Sequence, residues 1–242
     1  GERGVLTGDK TPGIFIDFSS IGVDHSAQLR EQLSARGAQF LCSPVSGNGK
    51  CVKAGKLSSV VSGPQEVYDT VKYIIEAIAV NGVSYVGDGE LARFCKIAHN
   101  VMLGVVTQNL AEITVLAEKA GVSRYAFLDF MNNSVMGSIF TRYKTNAFVN
   151  LDWTTTFTPA LLRKDLDLGL AAGRELNVAM PVTAATREAL QAHFGAASLQ
   201  GDPEAYLEKD FAAMIETVGL ASGLTLESED KPYATGLEVP GA

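Results

Sequence analysis

At 242 residues the chain can bury a sizeable core, as one large domain or two smaller ones. Its 20 Lys plus Arg against 27 Asp plus Glu give a net charge of -7 with the basic residues scattered, which argues against nucleic acid or an anionic membrane as a partner. Three cysteines in apolar sequence without C-x-x-C spacing (Cys42, Cys51, Cys95), no signal peptide and no run of about eighteen uninterrupted apolar residues point to a cytoplasmic protein without a spanning helix.

Residues 1–88 read as alternating strand and helix. GIFIDF, residues 13–18, is a short apolar run with Asp17 near its end, and residues 22–37 have helical spacing that Gly37 stops. AQFLCSPV (38–45) and LSSVVSG (57–63) are strand-like, PQEVYDTVKYIIEAI (64–78) is an amphipathic helix opened by Pro64, and GVSYV (82–86) is a strand.

After Gly89 the grammar changes to nearly pure helix. Residues 90–120 keep apolar side chains three and four apart, from Leu91 through Phe94, Ala98, Met102 and Val106 to Leu116, until Gly121 ends the run. About thirty residues at 1.5 Å each span about 45 Å, more than a small domain needs, so this helix is expected to organise a bundle and a dimer. Further helical segments are expected at 123–132, 138–145, 158–177, 181–195 and 203–220. Residues 223–242 have little apolar period and read as a loose tail, which sets the expected divisions at 1–88, 89–222 and 223–242.

Two readings compete at YVGDGELARFCKIAHN, residues 85–100. Gly87 to Ala92 offers the glycine spacing of a dinucleotide turn between strand and helix. Such a turn also needs a second parallel strand ending in an acidic residue about twenty positions on. Here the helix simply continues, and Glu112, the acid at that distance, falls inside it, so the pyrophosphate reading is disfavoured.

The other reading puts chemistry on the helix. Lys96 and Asn100 are four apart and share a face, with His99 on its rim. A lysine near the start of an apolar helix, at a seam between domains, can be partly desolvated, which lowers its pKa from about 10.4 towards the neutral range. The competing view is a solvated lysine and a surface amide. His25, His99 and His193 are too scattered for a metal-ligand spacing, so no metal is expected.

Four segments carry a family resemblance. IDFSSI (16–21) is similar to an Asp-x-Ser-Thr element, with Ser20 where threonine is usual; SPVSGNGKCVKAGKL (43–57) is similar to a Pro-Val-Ser-Gly-Gly loop, with Asn48 replacing the second glycine. KIAHN (96–100) is similar to a catalytic Lys-x-x-x-Asn, and RKDLDLGLAAG (163–173) to a Lys-Asp-Leu element. In this order the chain resembles the β-hydroxyacid dehydrogenases, the group of 3-hydroxyisobutyrate dehydrogenase and tartronate semialdehyde reductase, related to 6-phosphogluconate dehydrogenase. The fold this implies is an α/β remnant of a Rossmann domain followed by an all-α domain built on one long helix. In the family the Asp-x-Ser-Thr element follows about ninety residues that carry the true G-x-G-x-x-G turn. Here it stands at Asp17, so the chain is expected to be a fragment or a degenerate relative that by itself binds cofactor poorly.

The resemblance implies hydride transfer between NAD or NADP and a small β-hydroxyacid, with Lys96 as acid/base and Asn100 holding the same substrate. Ser46, Gly47 and Asn48 would cradle the substrate carboxylate, the bland alternative being a plain turn. Lys164 and Ser20 would reach the nicotinamide ribose; otherwise Lys164 is half of an exposed ion pair and Ser20 caps the following helix. Asp165 would support the site or be a helix N-terminal acid. The expected partners are the hydroxyacid and further copies of the chain, as a homodimer or higher homo-oligomer. The opposing reading is a non-catalytic helical dimerisation or binding module, or an inactive fragment.

Overall fold

The computed structural model describes residues 4–8 and 10–238; Asp9 and the two ends of the chain, 1–3 and 239–242, which include the last residues of the expected tail, lie outside the described residues. It comprises two compact units, Gly1–His99 and Asn100–Ala242.

In the first unit β1 (Ile14–Asp17) pairs in parallel with β2 (Gln39–Cys42), Ile14 opposite Gln39 and Asp17 opposite Cys42. β4 (Ser58–Val61) pairs in parallel with β5 (Gly82–Tyr85) and antiparallel with the short β3 (Val45–Ser46). An antiparallel bridge between Cys42 and Ser62 joins the two sets. Parallel neighbours need a crossover, and helices α1 (Val23–Ser34) and α3 (Gln65–Ile78) supply them.

Along the strands successive side chains enter two different clusters. Phe40 and Cys42 of β2 enter one cluster with Leu29 and Leu33 of α1, while Leu41 enters another with Val67, Val71 and Ile75 of α3. Phe15 and Val60 join the first cluster, and Ile14, Ile16 and Val61 the second. This is the period of a strand, and because both faces are covered these strands read as unbroken apolar runs. A helix that the sequence pattern does not show, α2 (Gly49–Lys53), follows β3. Asn48 creates it by accepting the Lys50 and Cys51 N–H groups on Oδ1, at 2.9 and 3.2 Å.

The long helix, α4 (Leu91–Lys119), spans about 44 Å. By length and composition it is apolar enough to cross a membrane, so excluding a spanning helix for want of an uninterrupted run was too strict. Half of its most apolar window is buried in the protein, and Leu110, Ala111 and Val115 enter a core with Leu128, Phe148, Ala212 and Ile215, so this part of its apolar surface serves packing. It approaches α7 (Pro159–Glu175) closely: a Cβ at Gly104 would lie 2.9 Å from Leu162.

Helix α5 (Arg124–Asn133) is capped by Ser123, α6 (Ile139–Asn150) by a Ser138–Thr141 capping box, and α7 by Thr158 with Pro159 in its first turn. α6 continues past residue 145 because Ala147, Phe148 and Val149 are core residues. α8 (Pro181–Ala197) is close to expectation.

Two expectations are corrected. The helix expected over 203–220 is broken into α9 (Pro203–Leu207), a 3-10 turn (Phe211–Ala213) and α10 (Met214–Ala221). Asp210 imposes the break: its buried carboxylate accepts Lys144 Nζ at 2.5 Å, Thr156 Oγ1 at 2.7 Å and the Ala212 N–H at 2.9 Å. The tail, though without helix or strand, is not loose over its described part. Glu229 takes the Arg124 and Tyr125 N–H groups at 2.7 and 3.0 Å, and the Lys231 and Tyr233 N–H groups donate to Asn150 and Asn146.

Candidate active site

The α/β unit brings the serine-glycine bend onto α4. Ser46, the last residue of β3, bonds through Oγ to His99 Nε2 at 2.9 Å. Lys96, half-buried, lies three residues before His99, nearly one turn back along the helix. Sequence reasoning placed His99 only on the rim of the lysine's face; its spacing was the signal, and the hydroxyl it meets comes from 53 residues away. Gly47 has φ +130°, and a Cβ there would meet Leu57 Cδ2 at 2.6 Å and Cys51 Cβ at 2.8 Å, so the bend needs glycine. Asn48 commits its side-chain oxygen to the cap of α2, which accounts for an amide where the family pattern has glycine.

A buried arginine outside the sequence motifs organises the loop after β1. Arg93 is 1% exposed; it pairs with Asp17 Oδ2, donates to the Ser19 carbonyl and reaches Ser26 Oγ at 2.9 Å. Since Arg93 lies three residues before Lys96, it ties the loop holding Ser20 to the helix turn before the lysine. Ser20 is exposed, and the N-cap of α1 is Gly22, so the reading of Ser20 as that cap is corrected.

The start of α4 does not fit a pyrophosphate. The Ala92 N–H donates to Ser62 Oγ at 3.0 Å, and Ser62 Oγ donates to the Gly89 carbonyl at 2.8 Å. Glu90 stands just before the helix with its carboxylate on Arg30 Nε at 2.8 Å and the Cys42 thiol at 3.3 Å. Burial works to raise the Glu90 carboxyl, but hydrogen bonds from Ser26, Arg30 and Cys42 outweigh it and hold the group below its ordinary value. Burial pushes the Cys42 thiol up. An ionised carboxylate here repels a second anion.

In the helical unit Asp165 is the hub. It accepts Asn100 Nδ2 at 2.7 Å on one oxygen and pairs with Lys164 Nζ at 3.1 Å on the other. The Asp165 side chain is 5% exposed and that of Lys164 43%. Asp165 lies beyond the first turn of α7, which corrects the reading of it as a helix N-terminal acid. Lys164 borders an open cavity of about 480 Å³ lined also by Ala160, Arg163, Asp167 and Leu168. The ammonium and guanidinium along this wall can donate to the anionic and hydroxyl groups of a nucleotide's sugar-phosphate, with the Asp167 carboxylate beside them. Among the described residues no group of three or more His, Cys, Asp or Glu is placed to hold a metal ion.

Comparison with known proteins shows the family. The family model for the NAD-binding domain of NADP-dependent 3-hydroxyisobutyrate dehydrogenase matches residues 90–218, and that for the NAD binding domain of 6-phosphogluconate dehydrogenase matches residues 1–87. The chain is 30% identical over 185 residues to 2-(hydroxymethyl)glutarate dehydrogenase of Eubacterium barkeri, covering 76% of this chain and 61% of that protein. It is also 30% identical over 188 residues to the cytokine-like nuclear factor N-PAC of Xenopus tropicalis, covering 78% of this chain and 35% of that protein. The chain thus spans less than two thirds of the length of either. The structure of 3-hydroxyisobutyrate dehydrogenase of Mycobacterium tuberculosis with L-serine matches at a TM-score of 0.70 and 25% identity, over 86% of this chain and 71% of that one. An α/β unit followed by a helical unit on one long helix, with both halves matched, identifies the chain as a member of the β-hydroxyacid dehydrogenase family.

Proposed function

We propose that the chain supplies the reacting residues of an NAD- or NADP-dependent oxidoreductase that interconverts a small β-hydroxyacid and its semialdehyde or keto form. The observation that carries this is the seat of Ser46 on α4, bonded to His99 three residues from Lys96. A bound nicotinamide supplies the hydride acceptor or donor. Lys96 takes the hydroxyl proton in oxidation and returns it in reduction, and its positive charge stabilises negative charge developing on that oxygen. Asn100, with its amide nitrogen held by Asp165, orients the same substrate. The Ser46 hydroxyl and the backbone N–H groups of Gly47 and Asn48 receive the carboxylate. Ser20 and Lys164 meet the nicotinamide ribose. A second copy of the chain, in a cytoplasmic homo-oligomer, completes the proposal.

Turnover of 3-hydroxyisobutyrate and 2-(hydroxymethyl)glutarate, measured with millimolar NAD or NADP because the glycine turn at residues 87–92 gives no seat to a pyrophosphate, tests the reading. Replacing the lysine, Lys96→Met, is expected to lower turnover at least about 100-fold while circular dichroism stays unchanged. Retained turnover in that variant overturns the acid/base role. The likeness to a nuclear factor favours a second reading, a non-catalytic binding module. Failure of the full chain to bind either cofactor, with the fold intact, would support that module or an inactive fragment.

A further inference from the structure

We propose that His99 is a positioning residue of the carboxylate subsite, holding Ser46 so that its hydroxyl proton is presented to the substrate. The proposal rests on the reading of Ser46 to Asn48 as that subsite and adds the device that orients it. A serine hydroxyl has one proton and two lone pairs, and an ionised carboxylate only accepts. The 2.9 Å bond between Ser46 Oγ and His99 Nε2 therefore has two forms with opposite consequences. With Nε2 unprotonated, the ring takes the only proton of Ser46, which then turns lone pairs towards an incoming carboxylate. With the proton on Nε2, the ring donates to Oγ and the serine proton is available to the acid. A bound carboxylate selects the second form and completes a chain from imidazole N–H through hydroxyl to carboxylate, in which each bond strengthens the next.

Gly47 has no side chain and no room for one, and Asn48 has its side-chain oxygen on the Lys50 and Cys51 N–H groups. The α4 backbone fixes the ring's Cα, so Ser46 is oriented from a helix and not from its own loop.

The chain has three histidines, so ¹⁵N-labelled imidazoles can be followed individually in the full chain by NMR at a fixed pH above the histidine range. Titration with 3-hydroxyisobutyrate is expected to move His99 to the Nε2–H form and leave His25 and His193 unmoved. His99→Phe should weaken binding of the acid about tenfold, the effect of one hydrogen bond to a charged group. His99→Gln, whose amide N–H can donate to Ser46, should restore most of it. If the acid shifts the backbone amides of residues 46–48 but leaves the His99 nitrogens unchanged, or if His99→Phe binds it as the parent does, the role of His99 is overturned and the subsite stands. If residues 46–48 do not respond to the acid at all, the subsite reading fails, and this proposal with it.

Discussion

The α/β unit and the helical unit each bury one arginine to 1% exposure, and the two guanidinium groups do different work. Arg93 gathers Asp17, the Ser19 carbonyl and Ser26 at the turn of α4 just before Lys96. Arg124 donates to the Phe148 and Val149 carbonyls at 2.8 and 3.1 Å, to Glu118 at 2.6 Å and to the Glu227 carbonyl, stapling the tail to α5 and α6. In both, a planar five-donor group bonds a carboxylate together with loop or helix-end carbonyls. The role is set by which segment is held: a loop beside the candidate site in one unit, the closing edge of the architecture in the other.

Replacing each arginine by methionine is the strongest way to break this comparison. Removing one partner of a buried pair strands the other, and each change should cost about 3–5 kcal/mol. Denaturant unfolding would show it, with Trp153, the single tryptophan and a neighbour of the helical core, reporting on Arg124→Met. Hydrogen exchange of the strand amides would report on Arg93→Met. Arg93→Met alone should also disturb the Lys96 turn and weaken acid binding; equal weakening in both variants would erase the distinction.

Acid separates the units next. His193 is buried, bonded through Nδ1 to Thr217 Oγ1 at 2.8 Å, and burial, with Lys209 adding to it, lowers its pKa from 6.5 to about 4. The unfolded chain binds this proton near pH 6.5 while the folded one resists it down to about 4. The associated stability is therefore complete above 6.5 and lost as pH falls towards 4. About 3 kcal/mol is at stake in the helical unit. His193→Gln should flatten the acid side of a Trp153-detected stability profile; an unchanged slope would remove His193 as the cause.

The smallest effect belongs to the bend. Asn48→Ala removes the cap of α2 and should cost about 1 kcal/mol, with exchange protection lost at Lys50 and Cys51 and the amides of the helical unit unaffected. Asn48→Gly, which restores the residue of the family pattern, should cost only a few tenths of a kcal/mol.

Much of the fold was legible in the order of residues. The runs that became β1, α1, α3, β5, α4 and α8 carry their own period, and neighbouring residues are enough to set it. The Ser46–Gly47 bend and the Lys96–Asn100 spacing were legible too, since each lies within a few positions. Arg93 was missed because an arginine in an apolar helix looks like a solvated charge until Asp17, 76 positions earlier, is brought beside it. The partner of Asp165 was hidden for the same reason: its position within α7 says nothing of Asn100, 65 residues away. The break at 208–210 reverses a helical pattern because Lys144 and Thr156 hold Asp210 more strongly than helix propensity favours continuation.

By itself the sequence determined the periods and the glycine bend, because these depend on backbone sterics and on side chains one turn or one pleat apart. Only the tertiary structure decided which buried charges meet, that the tail is pinned to α5 and α6, and that His99 faces Ser46. Those bonds join segments tens of residues apart, so they form only once folding has brought their partners together.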